Sequence, residues 1–400
     1  MAAKLLLLLF LFCMGVYCRN GYKLKQVLIL SRHNIRAPLS TNLQRTTDLQ
    51  WPVWETQVTH LTPKGALLEG YIAHYIAEWL KEEGLISDSC PAKNELHVYA
   101  NTPQRTKETA KAFVKSAFKN CNVSVHYKDT AKMDPLFHPV VHNGTEEFKE
   151  IGVREMKDIL DKMNLKDTYK LIDEIIDFKN SDICRTESMC DLVNGKNDII
   201  FELNEEPNVY GPLSISNSIA DFFLMSLYEG FPKENIAWGK MTESHHWRLL
   251  SNIVREDLNV RFNSSILSKD IADPLVQYMA NILLNEETSA PKLTLLFGHD
   301  SNLYSVMASL GFKPYNLPNQ YELTPIGGKL VFQKWYDEKH KRDLFKVNYV
   351  YQTVKQLRHG TPLSSENPPK SVILEIKGCK INKKGFCPWE DFRKILKSSD

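Results

Sequence analysis

Between Gln26 and Ser31 the chain is apolar without interruption at Val27, Leu28, Ile29 and Leu30. Such a run predicts a strand covered on both faces, as in a parallel sheet. A loop to Thr59 follows, then Thr62-Pro63, which predicts an N-cap with proline in the first helical turn. From there Leu67, Leu68, Tyr71, Ile72, Tyr75, Ile76, Trp79 and Leu80 recur at helical spacing and predict one buried face, with His74 half-buried beside the two tyrosines. Glu95 to Ala100 predicts a second strand and Arg105 to Phe118 a second helix. Strand, helix, strand, helix in that order argues for an α/β sheet with crossover helices.

The texture changes near Thr145. Phe148 to Met163, Tyr169 to Phe178, Ser216 to Tyr228 and Glu243 to Phe262 carry helical periodicity, with no convincing strand among them. Strand signals return at Leu293 to Phe297. Lys329 to Trp335 and Phe345 to Gln352 then predict an antiparallel hairpin closing the sheet edge. The expected fold is α/β: a central mixed, largely parallel sheet flanked by helices, with an inserted all-helical lobe. Residues 19–144 and 268–400 are assigned to the sheet domain and 145–267 to the lobe. No low-complexity linker separates them, so the lobe is expected to pack rather than hang.

Residues 1–18 read as a secretory signal, with Lys4 as the charged start, Leu5 to Phe12 as the apolar core and cleavage near Cys18. The stretch is short for a membrane span and no later segment qualifies, so no membrane association is expected after cleavage. A secreted protein follows, or a periplasmic one in a bacterial host. Of eight cysteines, six remain after cleavage. Close spacing favours Cys184 with Cys190 and Cys379 with Cys387, leaving Cys90 for Cys121. Sequons stand at Asn122, Asn143 and Asn263, glycosylated if the secretory pathway is eukaryotic. A formal charge of +2 over 400 residues, with the longest basic run Lys339 to Arg342 bracketed by acids, gives no footprint for nucleic acid.

Candidate chemistry gathers behind the predicted strands. The first ends in Arg32-His33-x-x-Arg36-x-Pro38, the second in Asn101-Thr102-Pro103-Gln104-Arg105, the third in Gly298-His299-Asp300. From average residue usage the first pattern arises by chance in roughly one chain of this length in a thousand. In open α/β sheets ligands bind beyond the carboxyl ends of the strands, so the three motifs should converge. Arg32, Arg36 and Arg105 can then clamp phosphate oxygens, with His299 as a further donor. His33 can attack phosphorus and Asp300 can protonate the leaving alcohol, then take a proton from water. Guanidiniums replace a metal in this scheme, and no cofactor is expected.

Taken singly, each motif has a blander reading. Arg105 alone is a solvated helix start, and Gly-His-Asp alone an ordinary turn; their joint placement at strand ends outweighs that. His245 and His246 are neighbours about 100° apart on a predicted helix, not a two-ligand face.

On these motifs the chain resembles the histidine acid phosphatases, and more closely the bacterial periplasmic glucose-1-phosphatases. The resemblance runs from about Gly21 to Phe392 and includes Leu61 to Gly65, Met133 to Val140, Glu205 to Leu213, Tyr228 to Pro232 and Thr324 to Phe332. It implies His33 as nucleophile, Asp300 as proton donor, and Arg32, Arg36, Arg105 and His299 as phosphate ligands. It also implies Glu206 as the acidic residue on the sugar side of the pocket, and local pairing of the six cysteines. Phytase relatives usually carry threonine and lysine after the first motif, where this chain has Leu39 and Ser40. The expected activity is therefore a secreted acid phosphomonoesterase acting on small sugar phosphates such as glucose 1-phosphate. A phytase-like inositol phosphatase is the alternative within enzymes. A catalytically silent secreted binding protein is the alternative of another class.

Overall fold

The structure is a computed structural model that describes residues 21–39, 42–287 and 290–397. The expected signal segment and Ser40 lie outside the described residues. Among the described residues nine strands are present: β1 (Tyr22–Arg32), β2 (Leu96–Ala100), β3 (Asp198–Ile200), β4 (Asn208–Tyr210), β5 (Leu293–Gly298), β6 (Lys329–Asp337), β7 (Arg342–Tyr351), β8 (Lys370–Ile373) and β9 (Cys387–Pro388). Seven form the central sheet in the order β2-β5-β1-β6-β7-β8, with β9 also on β7. The sheet is mixed, as expected. The pairs β2-β5 and β5-β1 are parallel, and the pairs from β1 outward through β6, β7, β8 and β9 are antiparallel.

The helices are α1 (Pro63–Glu82), α2 (Gln104–Ala117), α3 (Glu146–Lys162), α4 (Lys166–Ile176), α5 (Asp182–Glu187), α6 (Pro212–Glu229), α7 (Ser244–Phe262), α8 (Ser265–Leu283), α9 (Asp300–Ser309), α10 (Val354–His359) and α11 (Trp389–Lys397). Alternation along β1 explains why that strand is apolar throughout. Val27 and Ile29 pack with Ile72, Ile76 and Phe113 of α1 and α2. Leu28 and Leu30 point the other way, against Val276 and Met279 of α8 and Val306 of α9. A third core fills the lobe around Phe222, Phe223, Leu250 and Ile253, and takes in Ile35 and Leu68 from the sheet domain. That shared core seats the lobe directly on the β1 loop. α1 starts as its sequence implied: Thr62 Oγ1 accepts from Gly65 N at 2.9 Å, with Pro63 in the first turn.

Three expectations need correction. The lobe is not all-helical, because β3 and β4 pair as an antiparallel hairpin in which Ile199 faces Val209. Two three-residue strands are too short to show a period of two against helical surroundings. The hairpin of β6 and β7 does not close the sheet, because β8 and β9 pair with the far side of β7. Their brevity and the polar start of β8 hid them. His74 is exposed rather than half-buried, since Ile72, Ala73 and Ile76 take the inner face of α1. α8, which helical periodicity left unassigned, crosses the expected boundary at 267/268, with Leu267 and Ile271 in the lobe core and Leu275 to Leu283 on the sheet.

The disulfides Cys90–Cys121, Cys184–Cys190 and Cys379–Cys387 are formed. Asn122, Asn143 and Asn263 are all exposed. Among the described residues no helix is long and apolar enough to cross a membrane.

Candidate active site

The parallel registers align the three motifs. Arg32 pairs with Gly298 across β1 and β5, and Ala100 with Phe297 across β2 and β5. The chain leaves all three strands at one level: His33 N donates to Gly298 O at 3.0 Å and Asn101 N to Phe297 O at 3.0 Å. Gly298 is required at this turn, because a Cβ there would stand 2.5 Å from Asn302 Oδ1. Asn302 holds the turn by accepting from His299 N at 2.9 Å and donating to Phe137 O at 2.8 Å.

A cavity of about 230 Å³ opens at these ends, lined by Arg32, His33, Arg36, Arg105, His299 and Asp300. All six motif residues singled out by the sequence therefore meet in one place. Glu206 lines the same cavity from the lobe side. The rings of His33 and His299 face each other edge-on at 5.5 Å.

Hydrogen bonding fixes both imidazoles. His33 Nδ1 lies 2.8 Å from the backbone oxygen of Asn34. A carbonyl only accepts, so Nδ1 carries the proton and Nε2 keeps its lone pair. Asn101 Oδ1 accepts from Thr102 N at 2.8 Å and from Asp134 N at 3.0 Å, which orients its amide. Asn101 Nδ2 then donates to His299 Nε2 at 2.9 Å, a far closer contact than the 3.5 Å between the Arg105 Nη2 donor and His299 Nδ1, so the proton of His299 sits on Nδ1. Burial, followed by Arg105, Arg36 and Arg32, holds His33 well below the usual histidine range. Burial and Arg105 do the same to His299. Both are neutral: one presents a lone pair and the other an N–H.

The cations are held by Asp300 and by two carboxylates that the motifs did not name, Glu322 and Asp221. Arg32 bridges Asp300 at 2.8 Å and Glu322 at 2.9 Å. Arg36 makes a fork with Asp221 of α6, at 2.7 and 2.9 Å. Among the described residues no carboxylate pairs with Arg105, and burial with Arg36 lowers its guanidinium to about 10, still fully charged. The Nε of all three arginines is buried without a partner among the described residues. Buried donors left unpaired cost about 1–3 kcal/mol each, which is the pattern of a site built to receive an anion. Burial pushes the Asp300 carboxyl up, but Arg32, His299 and Arg36 more than offset it, so its net shift is downward.

A buried pair braces this wall from behind. Lys329 Nζ donates to Glu69 Oε1 at 2.7 Å and to Ser31 Oγ at 2.8 Å, and Glu69 Oε2 accepts from Asn34 Nδ2 at 3.0 Å. Neither Lys329 nor Glu69 exposes any side-chain surface. Glu69, Lys329, Asp221 and Glu322 carried no signal of their role, because their partners lie on other elements; Arg261 pairs one turn away with Asp257 on α7, and only packing brings Glu206 to it. Asn101 stood inside a quoted motif, and only its contacts reveal its part. His245 is exposed and Trp247 packs inward on α7. Among the described residues no group of three or more histidine, cysteine, aspartate or glutamate side chains is arranged to hold a metal ion.

Comparison with known proteins agrees with this geometry. Residues 23–184 and 233–352 match the model of the histidine phosphatase superfamily (branch 2). The chain is 41% identical over 385 residues to a glucose-1-phosphatase of Salmonella typhimurium, covering 95% of this chain and 93% of that one. It is 42% identical over 379 residues to a glucose-1-phosphatase of Providencia rettgeri, covering 93% and 91%. Among solved structures, the Hafnia alvei phytase in complex with tartrate superposes with a TM-score of 0.86 at 28% identity, over 95% of this chain and 98% of that one. The chain is a phosphatase and belongs to the histidine phosphatase superfamily, branch 2.

Proposed function

We propose that this protein is a secreted acid phosphomonoesterase that hydrolyses sugar phosphates such as glucose 1-phosphate through a phosphohistidine on His33. The observation that carries the reading is the neutral His33 with Nε2 unprotonated, in one cavity with three arginines whose Nε atoms lack partners. Arg32, Arg36 and Arg105, with His299 Nδ1–H, hold the phosphoryl oxygens. His33 Nε2 attacks phosphorus, the ester P–O bond breaks, and protonated Asp300 gives its proton to the departing alkoxide oxygen. Water then attacks phosphorus while the Asp300 carboxylate takes its proton. The P–N bond breaks, and inorganic phosphate and the original protonation states result.

Asp300 must hold a proton in the first step although its carboxyl is lowered in the free site. A bound phosphate anion cancels much of the arginine charge that lowers it, so binding itself favours the acid form. That coupling, with a nucleophile neutral in acid, supports an acidic working range. Three disulfides and exposed sequons support secretion.

Rapid quenching with labelled glucose 1-phosphate tests the reading. An acid-labile phosphohistidine is expected on the wild type and none on His33→Ala. Turnover without that species would overturn the mechanism, and absence of both would leave a silent binding protein. Glu206→Ala tests the sugar pocket: glucose 1-phosphate turnover falls while aryl phosphate turnover persists. Equal loss on all esters counts against it. The second reading, a phytase-like enzyme, is favoured by the superposition on the Hafnia alvei phytase. Inositol hexakisphosphate turnover exceeding that of glucose 1-phosphate would decide for it.

A further inference from the structure

The central sheet carries a second cavity, away from the strand ends that hold phosphate. On one face α1 and α2 pack against β1, with Ile72, Ile76 and Phe113 meeting Val27 and Ile29. Alternation turns Gln333 and Trp335 of β6 and Lys346 and Asn348 of β7 to this same face, whereas Phe332 and Val347 enter the core behind. Beside α1 these side chains line a cavity of about 270 Å³, together with Tyr75 and Trp79 of α1 and Phe386. It is larger than the catalytic cavity and shares no lining residue with it. The amides in it are engaged with one another. Trp335 Nε1 donates to Gln333 Oε1 at 3.0 Å, Gln333 Nε2 to Asn348 Oδ1 at 2.9 Å and Asn348 Nδ2 to Ser371 Oγ at 3.0 Å. Lys346 differs. It is half-buried, its ammonium lies 5.3 Å from the centroid of the Phe386 ring, and it forms no hydrogen bond or salt bridge among the described residues. Burial lowers this ammonium below the ordinary lysine range, with Glu83 opposing.

We infer that this cavity binds a small amphipathic anion, an aromatic body the size of two fused rings that bears one carboxylate. Tyr75, Trp79 and Phe386 offer the rings apolar and stacking surface, and the carboxylate meets Lys346 as a charge-assisted pair. A mostly apolar lining with a few placed polar groups is the usual build of a small-molecule site. A sugar fits less well, because the amides that would bind its hydroxyls already bind one another. A dianion also fits less well, since the Glu83 carboxylate lines the same cavity. The site is independent of the phosphomonoesterase reading. Its bland rival is a lysine whose stem lies along apolar surface with its head in water, which gives a ligand's charge no part in binding.

Calorimetric titration of the whole protein near neutral pH with 2-naphthoate and with the neutral 2-naphthamide decides between them. Excess inorganic phosphate is present, so that the catalytic arginines are occupied. One naphthoate per chain is expected, with the amide weaker by at least about tenfold. Lys346→Met should weaken naphthoate by about tenfold and leave the amide within about twofold. Trp79→Ala should weaken both compounds by about tenfold. Equal affinity for the two compounds, or no naphthoate binding at about 1 mM, overturns the inference. That comparison needs only the wild type, so a variant that fails to fold leaves it decisive. Naphthoate binding that phosphate displaces and Lys346→Met leaves unchanged would assign the ligand to the catalytic arginines and overturn it too. Sedimentation tests the remaining occupant: a dimer that Trp79→Ala dissociates would give this face to a second copy of the chain and remove the ligand.

Discussion

The two halves of the catalytic cavity are built on opposite plans. The phosphate half comes from three adjacent strand ends, where backbone register alone places Arg32, His33, Asn101 and His299 side by side. The leaving-group half comes from α7 and the loop before β4, and Glu206 meets Arg261 only after the lobe has packed. In the first half cations dominate and each imidazole is fixed by a bond to a backbone carbonyl or an oriented amide. In the second, carboxylates outnumber the single arginine they share. The contrast separates two tasks. One half recognises a group common to every substrate, so it can be rigid and local. The other reads what differs between substrates, so it sits on elements whose sequence can change without disturbing the sheet.

Variants of the phosphate half should therefore affect all esters alike, and the largest effect tests this first. His33→Ala is expected to lower turnover of aryl and sugar phosphates alike by roughly 10⁴-fold or more. Steady-state rates on both esters check this; a loss confined to one class breaks the comparison. Asp300→Asn should cost about 10²- to 10⁴-fold on glucose 1-phosphate and distinctly less on p-nitrophenyl phosphate, whose leaving group needs little protonation. A Brønsted series of leaving groups measures the difference, and identical losses across it would remove Asp300 as the acid.

Behind the phosphate half, Glu69→Gln should destabilise the protein by about 3–5 kcal/mol, because it strands the Lys329 ammonium in the core. Guanidinium unfolding reads this out, and a change under about 1 kcal/mol would show that the pair is not desolvated in solution. Asn101→Leu removes the bond that sets the His299 proton on Nδ1. Inhibition by phosphate should weaken by about tenfold, the worth of one hydrogen bond to a charged group. Nitrogen chemical shifts of His299 should show the tautomer mixing, and an unchanged tautomer would place its control elsewhere.

The smallest expected effect is on acid stability. His33 and His299 are both lowered by burial and then by Arg105. Below about pH 6.5 the unfolded chain binds protons that the folded chain does not, so each histidine subtracts up to about 1.4 kcal/mol per pH unit down to its folded value. Melting curves at falling pH should show the loss, and His299→Asn should make it shallower. A slope identical in wild type and variant would mean that His299 is charged in the folded state. Asp300 acts at lower pH: its lowered carboxyl supplies stability above about pH 3.9 that is lost as pH falls through the folded value.

What the sequence by itself determined was whatever depends on near neighbours. The apolar run of β1, the Thr62-Pro63 start of α1 and the three polar motifs are each written in a few consecutive residues. Strand register then turned that local order into a shared phosphate site. Tertiary structure alone decided the tautomers of His33 and His299, the pairing of Arg36 with Asp221 and of Lys329 with Glu69, and the charge placed around Arg261. Those contacts join side chains as much as 260 positions apart. No spacing rule spans such distances, because a helix or strand repeats over a few residues, whereas a salt bridge forms wherever packing happens to bring opposite charges together.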